Sequence, residues 1–245
     1  MHLHVAHLYP FSMNTYGDDG NIICLKQRAR WRGIDITVHQ VDSGTPLPSH
    51  VDLYFFGGGQ DISQESVARD LQTKADRIRH DVKKNVPLLS VCGGYQLLGA
   101  QYVPFDQPPI TGIGIFPVET RASNDRMIGN LLIKADSYLN FGVHPKTLVG
   151  FENHSGKTFI QSQKATPLGK ILHGHGNNGS DKTEGCIIHN AIGCYLHGSL
   201  LPKNPHLADW LLQKACDLHY PGYFLNPLDD TLEWRAHESI VARYI

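Results

Sequence analysis

Short apolar runs alternate with longer amphipathic stretches along the first half of this chain. Leu3 to Leu8, Ile34 to Val41, Leu53 to Phe56 and Pro87 to Val91 read as strands, and Asn21 to Arg32 reads as a helix. A longer helix is predicted between the third and fourth strands, where Val67, Leu71, Ala75, Ile78 and Val82 recur at helical spacing and form one apolar stripe. Asp61 and Gln64 have the spacing of a capping box at its start. Strands separated by helices require crossover connections, hence an α/β architecture with a mainly parallel sheet. In such sheets the ligand site lies at the carboxyl ends of the strands. From Thr111 to Leu196 the pattern changes to short β segments, Gly114 to Thr120, Leu131 to Lys134, Thr147 to Phe151, Gly185 to His189 and Ala191 to Leu196, expected to extend the sheet and add side hairpins. Asn204-Pro205 then starts a helix as N-cap and N1, and a terminal helix is predicted from Asp229 to Ile245. With no internal repeat and no clear linker, one domain over residues 1–245 is the simplest organisation.

The chemistry concentrates where an apolar run meets a glycine-started helix, at Ser90-Val91-Cys92-Gly93-Gly94-Tyr95-Gln96-Leu97-Leu98-Gly99. A thiol at such a joint faces the positive end of a helix and unpaired backbone N–H groups, which favour thiolate and can hold an oxyanion. A buried, inert cysteine beside a packing glycine pair is the competing reading. A second apolar run, Ala191 to Leu196, ends at His197-Gly198, so that a base emerges beside the nucleophile and the two can act as a dyad. Gly57-Gly58-Gly59 lacks the Gly-Lys-Ser/Thr end of a phosphate loop; at a strand end beside Cys92 it suits an oxyanion hole instead.

Composition removes other classes. Lys and Arg total 22 against 23 Asp and Glu, without a polybasic run, so no global field draws the chain to nucleic acid. The first residues are too polar for a signal peptide, and no stretch approaches the ~20 apolar residues of a membrane span, so a cytoplasmic location without membrane insertion is expected. The cysteines number 5 and lack Cys-x-x-Cys spacing, which argues against a disulfide framework and a zinc ribbon. His2, His4 and His7, and the pair His173 and His175, have no carboxylate or cysteine at ligand spacing in sequence, so no metal site is expected.

Cys92-Gly93-Gly94-Tyr95-Gln96-Leu97-Leu98-Gly99 with Tyr195-Leu196-His197-Gly198 resembles the class I (triad) glutamine amidotransferases, in their cobyric-acid-synthase-like branch. Tyr16-Gly17-Asp18-Asp19-Gly20-Asn21-Ile22, Phe56-Gly57-Gly58-Gly59-Gln60-Asp61, Gly150-Phe151-Glu152-Asn153-His154 and Leu201-Pro202-Lys203-Asn204 follow the same order, and the similarity is to freestanding glutaminase subunits of lipid II isoglutaminyl synthases. The resemblance implies a flavodoxin-like three-layer fold and glutamine hydrolysis through a Cys92 thioester with His197 as base. It also implies substrate contacts at Gly58, Gly59, Gly93, Gln96 and Arg126, the arginine gripping the substrate carboxylate. No cofactor is implied in this chain; ATP and Mg belong to a Mur-ligase-like synthetase partner, MurT, in a heterodimer that amidates the D-glutamate α-carboxylate of lipid II. A freestanding cobyrinate-type subunit, a flavodoxin-like cysteine hydrolase or peptidase and a silent binding module are the alternatives. Two positions depart from the class: Ser90 replaces a common glycine, and His197-Gly198-Ser199 lacks the Glu often found two residues after the histidine. The third catalytic member is therefore unassigned, with Glu152 an internal candidate and a partner carboxylate the other.

Overall fold

The computed structural model describes residues 1–14, 17–59 and 61–245, with the side chains of residues 61–64 outside that description. Tyr16, Gln60 and the expected capping box of Asp61 and Gln64 therefore lie outside the described residues.

The first half follows the hydrophobic pattern closely. Strand β1 (His2–Leu8) leads through a loop to α1 (Asp19–Arg30), then β2 (Asp35–Val41), β3 (Leu53–Phe56), α2 (Asp61–Lys83), β4 (Leu88–Val91) and the short α3 (Gly93–Leu98). Among the described residues the central sheet has the order β13-β14-β4-β3-β1-β2, where β13 (Cys186–Ile188) and β14 (Ala191–Cys194) form an antiparallel hairpin and every other pairing is parallel. Its strands send alternate residues to two apolar layers. Leu3, Val5, Phe55, Leu89 and Ile192 pack with α1 and with α4 (Pro205–Asp217), while Ala6, Leu8, Tyr54, Phe56 and Leu88 pack with α2 and α3. Burial on both faces explains why these strands read as continuous apolar runs.

The second half departs from expectation. Of the predicted β segments only those at 185–196 join the central sheet. β5 (Gln101–Val103), β6 (Ile110–Thr111), β7 (Val118–Arg121) and β10 (Lys157–Ile160) make one four-stranded sheet, and β8 (Met127–Ala135), β9 (Thr147–His154), β11 (Gly169–His173) and β12 (Thr183–Glu184) make another. The predicted strand at Gly114 to Thr120 begins only at Val118, because Gly114 turns at φ 65° and the Ile115 and Phe116 N–H groups bond to the Leu98 carbonyl at the end of α3. The terminal helix is shorter than expected, α5 (Thr231–Val241). Asn204 precedes α4 as predicted, but its amide does not cap that helix: it accepts from the Val149 N–H at 2.9 Å and donates to the Val149 and Leu200 carbonyls, tying the turn before α4 to β9. No helix among the described residues is long and apolar enough to cross a membrane.

Candidate active site

Four strand ends converge. β4 delivers Cys92, β14 leads to His197, β3 runs into Gly57-Gly58-Gly59, and the loop after β1 carries Asp18. Cys92 stands between strand and helix with φ 49° and ψ −108°, a backbone conformation that non-glycine residues rarely adopt. The surroundings hold it there. Its N–H donates to the Cys194 carbonyl at 2.8 Å, its carbonyl accepts from Gln96 N–H at 2.9 Å, and Gly94 N–H donates to the Gly57 carbonyl at 3.2 Å. A Cβ on Gly94 would meet the Phe56 carbonyl at 2.6 Å and one on Gly193 would collide with the Tyr95 ring, so these glycines let α3 close onto β3 and β14. Ser90, the first departure from the class, is accommodated: it is buried and its hydroxyl donates to the Ile192 carbonyl at 3.3 Å.

His197 lies three residues beyond the end of β14. Leu196 and His197 leave the central sheet, and His197 bridges Phe151 on β9 through N–H to O distances of 2.9 and 3.1 Å. The imidazole is fully buried, as is Asp18, whose Oδ1 lies 3.7 Å from His197 Nδ1. Asp18 Oδ2 accepts the Gly58 N–H at 2.6 Å. A Cβ built on Gly58 would stand 2.8 Å from His197 Cε1, 3.3 Å from Cys92 Cβ and 3.4 Å from Asp18 Oδ2, so thiol, imidazole and carboxylate meet around this one glycine. Burial alone would lower the His197 pKa; the neighbouring Cys92 and the Asp18 carboxylate outweigh it and carry the imidazole up to about 10. An imidazolium beside the sulfur is the partner a thiolate nucleophile requires.

The other thiols are held inert by contrast. Burial pushes Cys24 and Cys186 up to about 12 and Cys216 to about 11, and Cys194 is also raised. Cys92, partly accessible, is the one at the strand-end cluster.

Asp18 is the residue the sequence reading passed over. Glu152, considered for the acid, is fully buried but engaged elsewhere: it accepts the His175 and Gly176 N–H groups at 2.7 and 2.8 Å and lies 2.9 Å from His175 Nδ1. Burial would raise Glu152; the nearby His154 and the hydrogen bonds from His175 and Gly176 prevail and hold it low. The missing Glu after the histidine has a structural counterpart. Ser199 occupies that place, and its hydroxyl donates to the Gly17 carbonyl at 2.8 Å, fastening the turn after His197 to the residue before Asp18.

The remaining expected site residues are spread around this centre. The Gly58 N–H, expected at an oxyanion, is taken by Asp18, because a buried carboxylate needs a donor. Gly59 follows it in the same loop, and Gly93 heads α3 directly after the nucleophile. Gln96 is buried, its amide donating to the Tyr195 hydroxyl at 3.2 Å. Arg126 is exposed and donates to Asn153 Oδ1 at 2.8 Å, next to the β8–β9 pairing whose Phe151 bridges His197. His154, stacked on Tyr195 at 3.5 Å, lies close enough to His197 for their charges to oppose each other.

The family model for CobB/CobQ-like glutamine amidotransferase domains matches residues 4–205. The chain is 35% identical over 242 residues to the lipid II isoglutaminyl synthase (glutamine-hydrolyzing) subunit GatD of Staphylococcus aureus, covering 98% of this chain and 96% of that one. It is 38% identical over 229 residues to the subunit of the same name from Streptococcus pneumoniae, covering 90% and 85%. Among solved structures, that of PurLQS from Thermotoga maritima superposes with a TM-score of 0.61 at 14% identity, covering 89% of this chain and 99% of the other, a likeness of fold.

Proposed function

Because this chain belongs to the CobB/CobQ-like glutamine amidotransferase family, we propose that it is the glutaminase subunit of a lipid II isoglutaminyl synthase. The observation that carries the reading is the convergence of Cys92, His197 and Asp18 on Gly58, at the carboxyl ends of parallel strands, in a chain similar along almost its whole length to the two GatD subunits. In this reading Cys92 Sγ attacks the side-chain amide carbon of glutamine, and His197 gives its proton to the departing ammonia. A γ-glutamyl thioester remains on Cys92. His197, now neutral, takes a proton from water, the hydroxide attacks the thioester, and glutamate leaves with restoration of the thiolate–imidazolium pair. Asp18 fixes the imidazole so that its other nitrogen faces the sulfur.

The tetrahedral oxyanion needs donors, and in this reading the Gly93 N–H and an N–H of the Gly58-Gly59 loop supply them. Since Gly58 N–H is held by Asp18, a rotation of that peptide or use of Gly59 N–H is required at turnover. Such a requirement lets a partner control glutamine use by setting the loop, and isolated chain is expected to be a slow glutaminase. Arg126 supplies the two-point grip on the substrate carboxylate.

Ammonia passes to a Mur-ligase-like partner, MurT, which holds ATP and Mg and activates the D-glutamate α-carboxylate of lipid II in the cytoplasm. The test is reconstitution with that partner. Cys92→Ala is expected to abolish glutamine-dependent amidation and leave ammonia-dependent amidation intact, and an acivicin-type electrophile to label Cys92 alone in mass spectra. Loss of both activities, or amidation of a cobyrinate in place of lipid II, would overturn the reading.

A further inference from the structure

At the amino-terminal end of the sheet, opposite Cys92, histidines far apart in sequence gather around one buried carboxylate. Asp52, 1% exposed, stands just before β3. Its Oδ1 lies 2.7 Å from His50 Nε2 and 2.8 Å from His219 Nε2, and its Oδ2 accepts the His4 N–H at 2.7 Å. His219 follows α4, so the cluster links the end of that helix to the strand ends of β1 and β3. The two rings are 4.8 Å apart, and His4 sets its ring edge-on to His50 at 5.6 Å while its Nδ1 meets His39 Nε2 at 2.9 Å.

We propose that His50, Asp52 and His219 form a binding site for a divalent transition metal of zinc type, which fastens the end of α4 to the start of β3. Three features support it. The donor set, two imidazole nitrogens and one carboxylate oxygen, is one that zinc takes in tetrahedral sites, with solvent in the fourth place. The three donor atoms lie within 4.8 Å of one another, and the two imidazole nitrogens at 2.7 and 2.8 Å from Asp52 Oδ1 have to open to about 3.3 Å, the edge of a tetrahedron with metal–ligand distances of about 2.0–2.1 Å, an adjustment that falls on two exposed side chains. The anchor is rigid, because Asp52 is buried and its second oxygen is fixed by a backbone donor, the outer support that metal ligands ordinarily have. No pair of these residues stands at a recognisable ligand spacing except His50 and Asp52, which is why the sequence alone suggests no such site.

The site lies at the other end of the parallel strands from Cys92, so a metal here acts on the fold and not on the reaction. Loading adds stability by mass action, with the logarithm of the ratio of free metal to its dissociation constant. The experiment uses full-length, tag-free chain stripped with chelator, titrated with zinc against a chromophoric chelator and with cobalt read by its visible absorption. The expected result is one equivalent of zinc, a cobalt spectrum of tetrahedral type and a rise in Tm on adding zinc. His219→Ala and His50→Ala, both at exposed positions, should each weaken zinc at least about 10-fold and remove the Tm rise, with unchanged far-ultraviolet circular dichroism and glutamine hydrolysis. His173→Ala, outside the cluster, should bind as the parent does. Absence of stoichiometric zinc, or binding lost in His2→Ala or His39→Ala but kept in His219→Ala, overturns the site.

Discussion

Both ends of the parallel sheet set imidazoles against a buried carboxylate, with opposite consequences. At the carboxyl end His197 and Asp18 are both fully buried, and Cys92 and Asp18 together outweigh the cost of burying the imidazole's charge. At the amino end Asp52 is equally buried, but the side chains of His50 and His219 are 48% and 42% exposed, so solvent and its ions reach that contact. The sealed contact holds a proton on His197; the open one leaves room for a metal ion. The pairing of residue types is the same, and solvent access makes the difference.

The comparison is broken most directly by removing one histidine from each end. His197→Ala is expected to lower kcat for glutamine by about 10²–10⁴-fold, the span for losing a general acid–base group. His219→Ala should leave kcat within about twofold, since nothing at that end touches substrate. Glutamate release measured on the partner-bound chain checks both, and similar losses in the two variants would show that the ends do not differ as argued. If His154→Ala were severe and His197→Ala mild, the base would have been misassigned.

Asp18→Asn sharpens the comparison. An amide keeps the shape but not the charge, so about a 10²-fold fall in kcat is expected, with little change in the far-ultraviolet spectrum. The pH profile is the more specific readout. His197 is raised from 6.5 to about 10 in the fold, so its protonated form, with the stability it contributes, is complete below about 6.5 and lost as pH rises through about 10. Activity that depends on imidazolium should decline over the same alkaline range, and Asp18→Asn should move that decline to lower pH. An unmoved alkaline limb would separate Asp18 from His197. Glu152→Gln should not move it, because Glu152 is committed to His175 and Gly176.

Arg126 has a smaller expected effect. In its proposed role the exposed arginine acts on substrate capture: Arg126→Ala should raise KM by about 10-fold with kcat changed less, and Arg126→Lys should recover only part, since an ammonium cannot grip a carboxylate at two points. A loss confined to coupled synthesis, with glutamine hydrolysis intact, would place Arg126 on the ammonia route instead.

What could be read from the sequence follows the range of the signals involved. The elbow was legible because strand, cysteine, paired glycines and helix are consecutive, and His197 because its strand is a short apolar run ending in glycine. Asp18 was not: its role rests on packing of the loop after β1 against β3 and β14, and Ser199, which holds that loop, carries no chemical signature of its own. The side sheets were legible only in part, since β8 and β9 cover the predicted segments at 131–134 and 147–151 while others escaped. β11 bulges between Ile171 and His173, and β12 is two residues long, so neither sustains the alternation from which strands are inferred. His50, Asp52 and His219 belong to the same class of long-range contact. His219 meets Asp52 across 167 positions, and only the fold brings them together.

The smallest effect concerns a buried carboxyl with no imidazole against it. Glu184 is fully buried on β12; its Oε1 accepts the Tyr195 N–H at 2.5 Å, and its Oε2 has no hydrogen-bond partner among the described residues. Burial pushes its pKa up from 4.5 to about 8, so the fold holds a proton there that the unfolded chain releases. That stabilisation is whole below about 4.5 and is lost as pH rises through about 8. Glu184→Gln stays neutral and keeps the carbonyl that accepts from Tyr195. It should therefore match the parent near pH 5 and exceed it above about pH 8.5, by about 2–4 °C in Tm for each kcal/mol recovered. Calorimetry at the two pH values decides it: a gap that does not widen with pH would mean that Glu184 ionises without cost, and that burial alone does not govern the buried acids beneath this site.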